Sequence, residues 1–272
     1  MWGADRERSR AADRDRSRCR PCCGVALDLG GARTRAWVTG EETILDVPAA
    51  AVPDTGATRP VPPGGGVDPA TAGPLLDRLL GPRLAGRGRP LVVVTAPVLD
   101  GVAYRAAARA AVAVLRPRAV LTVPGARAVA LATGADLARP LLVVDVGERL
   151  TEVVLLGDGA VVDARRTALG TAALPGGGRA RLAEAVVVML TAMLRQDRTS
   201  LMLDALRRGP LLAGEGALRP ELVHHLSGRL HSPVEPVPAP RTAAVRGAAV
   251  LLEAACAHPS VSGRPPAPVQ PH

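Results

Sequence analysis

The chain has no phenylalanine, no lysine and no asparagine, a single isoleucine (Ile44), one tyrosine (Tyr104) and two tryptophans (Trp2 and Trp37). Each absence closes off a chemistry. Without lysine there is no Walker A phosphate loop, no kinase strand lysine and no Schiff base. Without aromatic platforms a nucleic-acid reader has nothing on which to stack bases. No apolar run reaches the length of a membrane span and no signal peptide is visible. The expected location is the cytoplasm, with membrane contact peripheral at most. Cysteine is scarce: Cys19, Cys22 and Cys23 form CxxCC, and Cys256 stands alone. No histidine or fourth cysteine lies close enough to complete a zinc spacing, so reduced thiols are expected.

Small aliphatics, glycine, proline and arginine take the place of what is missing. With 272 residues, 47% of them hydrophobic, the chain can build one large or two small domains. The net charge of +9 comes from arginine alone among the strong bases. Those arginines are scattered, except over residues 1–20, where Asp5, Glu7, Asp13 and Asp15 interleave them. That pattern describes a solvated disordered tail rather than a nucleic-acid arm.

One phrase occurs twice. GVALDLGGARTRAWV carries Asp28, Gly30 and Thr34, and LLVVDVGERLTEVVLL carries Asp145, Gly147 and Thr151. Both read apolar strand, Asp-x-Gly-x-x-x-Thr, strand, so the chain consists of two related halves. An aspartate at a strand end can hold a hydrated magnesium ion, and a following glycine lets backbone N–H groups approach phosphate. Gly214-Glu215-Gly216, after a strand and before a helix, offers a third such turn.

Around these turns, strands are expected at 25–27, 34–39, 43–47, 91–95, 120–123, 151–156, 160–166, 210–213 and 234–237. Helices are expected at 75–84, 102–115, 126–135, 180–195, 200–208, 221–230 and 242–257. Residues 53–74 hold too much proline and glycine for long regular structure. Strand–helix alternation in two comparable halves predicts an α/β fold with mixed sheets.

In order along the chain, ALDLGGARTRAWVTGEETILDVPAAAV, TAPVLDGVAYRAAARAA, LLVVDVGERLTEVVLLGDGAVVDARRTALG, RRGPLLAGEGALRPEL and PVPAPRTAAVRGAAVLLE resemble successive segments of the bacterial actin homologues, the rod-shape-determining MreB proteins. The resemblance implies the actin-like ATPase fold, two βββαβα ribonuclease-H-like domains with ATP between them. By that correspondence 24–140 forms the first core domain, completed by the helix 242–257, and 141–241 forms the second. Residues 1–23 and 258–272 are tails. A nucleotide, if retained, would meet Asp28, Gly30, Gly31, Thr34, Asp145, Gly147, Thr151, Gly214 and Gly216. Asp28 and Asp145 would hold Mg through water.

The chain departs from the family in two ways. It is short where members carry their small peripheral subdomains, so both are expected to be missing or reduced. Its nucleotide loops are eroded: Gly31 replaces a hydroxyl residue, Glu148-Arg149-Leu150 replaces two glycines and a threonine, and Glu215 replaces a glycine. Where the family has a catalytic carboxylate before a proline, this chain has Thr122-Val123-Pro124. The resulting reading is a degenerate ATPase acting as a cell-morphogenesis scaffold. Its partners would be other actin-like or morphogenesis proteins, or further copies of itself. The alternatives are an active phosphotransferase or ATPase of the superfamily, using Asp100, Asp136 or Glu152, and an anionic-surface adaptor working through residues 1–20. His224, His225 and His231 read as surface residues, Met189 and Met193 as core filler, and Trp37 as cover for a sheet.

Overall fold

Each half of the chain winds around a five-stranded mixed sheet, and the two sheets have the same strand order. In the computed structural model, residues 22–49, 66–99, 101–174, 178–230 and 234–258 are described. The segment 1–20, the passage 50–65, Asp100, His231 and the end from 259 onward lie outside the described residues.

The first sheet contains β1 (Gly24–Leu29), β2 (Arg33–Val38), β3 (Leu45–Pro48), β4 (Leu91–Ala96) and β5 (Ala119–Pro124) in the order β3-β2-β1-β4-β5. The second contains β6 (Leu141–Val146), β7 (Thr151–Gly157), β8 (Ala160–Thr167), β9 (Leu211–Ala213) and β10 (Glu235–Pro236). Its order, β8-β7-β6-β9-β10, is the same plan. In both, the first three strands form an antiparallel meander, and the next two add in parallel beside the first. The repeated phrase is thus the start of a repeated domain. Asp158 and Gly159, both at positive φ, form the two-residue turn joining β7 to β8.

Strand alternation sorts side chains into layers. Val25, Leu27, Val92 and Val94 face α1 (Pro69–Leu84) and α2 (Gly101–Val112) on the outside of the first sheet. Ala26, Leu91 and Val93 face inward, onto α3 (Gly125–Ala132) and α7 (Ala243–Ala257). The second sheet turns Leu141, Val143, Val154 and Leu156 towards the same central helices. It turns Leu142, Val144, Val153 and Leu155 outward onto α4 (Gly178–Gln196), α5 (Leu201–Arg208) and α6 (Pro220–Leu230). Five layers result, with α3 and α7 as the seam between the halves. There the helices touch backbone to backbone: a Cβ on Gly247 would fall 1.7 Å from the Ala128 carbonyl oxygen.

The amphipathic spacing of α4 does what it predicts, burying Leu182, Val186, Met189, Leu190 and Met193 against the second sheet. Trp37 covers the inner face of the first sheet, its Nε1 donating to the Glu41 carbonyl at 2.8 Å. Helix α1 begins six residues before the expected start. Asp68 caps it by accepting the Ala70 N–H at 3.1 Å, and Pro69 sits in the first turn, where a missing N–H costs nothing. Between β8 and α4 the described residues hold little beyond the 3-10 turn Thr171–Ala173, so the second half's peripheral subdomain is missing or reduced. In the first half, 49–67 is all that separates β3 from the cap of α1.

One expectation is overturned. Cys22 and Cys256 form a disulfide, with Cα atoms 5.7 Å apart, and are not reduced thiols. The cause is α7, which lies along β1 with Leu252 against Gly24 and so brings Cys256 to Cys22. Cys23 is free and buried, and burial pushes its thiol pKa up.

Candidate functional site

The two glycine turns that follow β1 and β6 face each other across a cleft of about 160 Å³. They have one geometry: the Gly30 N–H donates to the Arg33 carbonyl at 2.9 Å, and the Gly147 N–H to the Leu150 carbonyl at 2.9 Å. Inward-facing parity brings Asp28 and Asp145 to the cleft and carries their register partners, Arg35 and Glu152, to the same faces.

Of the residues expected to hold nucleotide, Asp28, Gly30, Gly31, Asp145, Gly147 and Gly214 line the cleft. Thr34, Thr151 and Gly216 do not. The two threonines have outward parity; Thr34 is buried in β2, and the Thr151 hydroxyl donates to the Leu169 carbonyl at 2.8 Å. Gly216 is packed against Val146 and Leu222. Gly214 must be glycine: its φ is +83°, and a Cβ would lie 2.4 Å from an Asp145 carboxylate oxygen.

The cleft is crossed by two clasps. In the first, the Arg35 Nη2 of β2 donates to Glu215 Oε1 of the opposite half at 2.7 Å, while Nη1 reaches Asp28 Oδ2 at 3.4 Å. Arg241, just before α7, grips the other oxygen of Glu215 through Nε at 3.0 Å and Nη2 at 2.9 Å. Arg35 is only 8% exposed, and its Nε lies 3.4 Å from Asp46 without a hydrogen bond. In the second clasp, Glu152 of β7 accepts the Val98 N–H at 3.0 Å and the Leu99 N–H at 3.2 Å, from the loop after β4. The clasps are reciprocal, because Arg35 and Glu152 hold equivalent places in the repeat.

The aspartates fare differently. Asp28 accepts the Thr95 hydroxyl at 2.8 Å as well as Arg35. At the place equivalent to Thr95 the second half has Ala213, and opposite Asp145 stands Glu152. Burial, then the carboxylates of Asp28 and Glu152, push the Asp145 pKa up to about 7, with Arg35 opposing. Asp145 receives no side-chain hydrogen bond among the described residues.

Glu148 and Arg149 stand at the cleft lip, and the loop bearing them is tied back to the 3-10 turn: Gly147 and Glu148 carbonyls accept from Thr171 and Ala172, both at 2.9 Å. The resemblance marked Glu148-Arg149-Leu150 and Glu215 as departures from the family's glycine-rich turns. Sequence reasoning missed Arg35 and Arg241, which make Glu215 a clasp; the alternation of β2 was the available signal for Arg35. Beside Pro124 the cleft is lined by Gly125 and Val129, and Glu152 reaches the loop after β4 on the same side. Asp136 is exposed and caps its own turn through the Ala138 N–H. His224 and His225 are exposed on α6. Among the described residues no His, Cys, Asp and Glu group could hold a metal ion, and no helix is long and apolar enough to cross a membrane.

Of the groups that would meet a Mg-nucleotide here, Asp28 is already paired with Arg35, and the third glycine turn carries the Glu215 carboxylate, itself held by Arg35 and Arg241.

No protein-family model and no curated protein sequence matches the chain. Solved structures do. MreB5 of Spiroplasma citri bound to ADP is 15% identical, with a TM-score of 0.72 over 87% of this chain and 98% of that one. The MamK double helical filament protein is 13% identical, with a TM-score of 0.67 over 85% and 98%. The ethanolamine utilization protein EutJ from Carboxydothermus hydrogenoformans is 18% identical, with a TM-score of 0.62 over 85% and 90%. The same strand order in both halves, the facing glycine turns and these likenesses establish that the chain has the actin-like fold, reduced to its two core domains.

Proposed function

We propose that the protein is a nucleotide-independent, MreB-like scaffold in which ion pairs of the chain itself hold the closed form that Mg-nucleotide holds in an active relative. The observation that carries this reading is Glu215, held from both sides by Arg35 and Arg241 at the third glycine turn. A carboxylate in that place supplies the negative charge a phosphate would bring, and the two guanidinium groups supply the positive charge of the metal. The cleft then has no hydrolytic task, a reading supported by Thr122-Val123-Pro124, where the sequence carries no acid. Function passes to the outer surfaces, through self-association or through contact with other actin-like or cell-morphogenesis proteins.

Isothermal titration calorimetry of the purified chain with Mg-ATP and Mg-ADP tests the reading. The expected result is no saturable heat up to millimolar nucleotide. Tight, magnesium-dependent binding, with ATP turnover abolished by Asp145→Ala, would replace this reading with an active ATPase.

A further inference from the structure

The disulfide is not among the residues lining the cleft. Cys22 lies two residues before β1, and Cys256 is in the last turn of α7, a separation of 234 residues. Both are half-buried, within reach of a small thiol, whereas Cys23 beside them is 6% exposed. Their Cα separation of 5.7 Å suits a disulfide without backbone movement. The surroundings bear on reactivity: the Arg118 Nη2 lies 3.0 Å from Cys22 Sγ. A guanidinium against a sulfur stabilises its thiolate, which is both the attacking and the leaving form in exchange.

We propose that Cys22 and Cys256 form a reversible redox staple that pins the C-terminal helix to the first strand, with Arg118 activating Cys22. In the closing reaction, the Cys22 thiolate attacks a low-molecular-weight disulfide of the glutathione type, forming a mixed disulfide and releasing one thiolate. The Cys256 thiolate then displaces the second, forming the Cys22–Cys256 bond. Two protein thiols are oxidised and one small disulfide is reduced to two thiols, the two protons that leave the protein thiols ending on the two released thiolates. Reduction runs the same steps backwards. Cys23, buried and with its thiol pKa raised, does not compete. The helix concerned matters to the whole molecule: α7 fills the seam between the sheets and follows directly on Arg241 of the clasp. Opening the staple frees its far end, and a cross-link closing so long a loop constrains the unfolded chain strongly.

The full chain, equilibrated in graded reduced and oxidised glutathione, acid-quenched and alkylated, is read by mass spectrometry and by thermal melting. The expected result is a Cys22–Cys256 peptide whose amount rises and falls reversibly with the redox ratio. The oxidised form should melt higher by at least about 5 °C. Cys256→Ser should abolish the shift and Cys23→Ser should leave it. Wild-type protein in reductant supplies the same comparison if Cys256→Ser does not fold. Arg118→Ala should slow closure several-fold at pH 7 but not at pH 9.5, where the thiol ionises unaided. Free thiols throughout, bonds of Cys22 only to glutathione, Cys19 or Cys23, or equal melting of the two forms would overturn the proposal.

Discussion

Asp28 and Asp145 occupy the same place in two copies of one domain, yet only the first is provided for. Asp28 has the Thr95 hydroxyl and the Arg35 guanidinium; Asp145 has Ala213 below it and Glu152 beside it. The two clasps differ in the same sense. Across the cleft Arg35 meets a carboxylate that Arg241 also holds, whereas Glu152 meets two backbone N–H groups there and repels Asp145. A duplicated fold has therefore kept its frame in both copies while its charges have diverged: Asp28 is paired with Arg35 of the clasp, and Asp145 stands beside Glu152.

The largest effect comes from breaking the seam on which both copies rest. Gly247→Val has no room beside the Ala128 carbonyl and should cost about 4 kcal/mol or prevent folding, as read by denaturant melts. Next comes the contrast between the clasps. Arg35→Ala leaves Glu215 to Arg241 and Asp28 to Thr95 and should cost about 2 kcal/mol, while Glu152→Ala should cost about 1 kcal/mol, since lost hydrogen bonds are offset by relief at Asp145. Equal losses would show that the clasps are not distinct.

The aspartates themselves should respond with opposite signs. The Asp145 pKa is about 7 in the folded chain and close to 3.8 when unfolded. Between those values the folded state keeps a proton that the unfolded state has released. Stability therefore falls as pH rises through this window, and the full penalty is present above about pH 7. Asp145→Asn should raise stability at pH 8 by about 2 kcal/mol and flatten the pH profile, as chemical denaturation across pH 4–8 would register. Asp28→Asn should lower stability, by less than Asp145→Asn raises it, because the weakened pairing with Arg35 is partly offset by relief at Asp145. The smallest change sharpens the comparison: Ala213→Thr gives Asp145 the hydroxyl that Asp28 has. It should lower the Asp145 pKa by about one unit in a carboxylate NMR titration, with a stability change under about 1 kcal/mol.

Much of the fold was legible in the sequence. The twofold Asp-x-Gly phrase marked equivalent hairpins, and the apolar spacing of α4 marked its buried face. Strand parity held the rest, for inward-facing Asp28 and Asp145 already imply inward-facing Arg35 and Glu152 and outward-facing Thr34 and Thr151. What parity does not reveal is which loop lies opposite, because Glu215 is 180 residues from Arg35 and the two meet only when the sheets close on α3 and α7. The Cys22–Cys256 pairing was hidden for the same reason: spacing looked for a local metal motif, while the partner lay at the far end of a helix that packs back onto β1. The start of α1 was missed because a proline-rich stretch masked a capped helix with Pro69 in its first turn.

The central claim is that the chain closes its cleft with its own charges. A crystal structure grown in the presence of millimolar Mg-ATP tests this most directly. The account predicts Arg35 and Arg241 on Glu215 and no nucleotide between the glycine turns. Nucleotide in the cleft, with Arg35 swung away from Glu215 and a metal ion at Asp28 or Asp145, would contradict it.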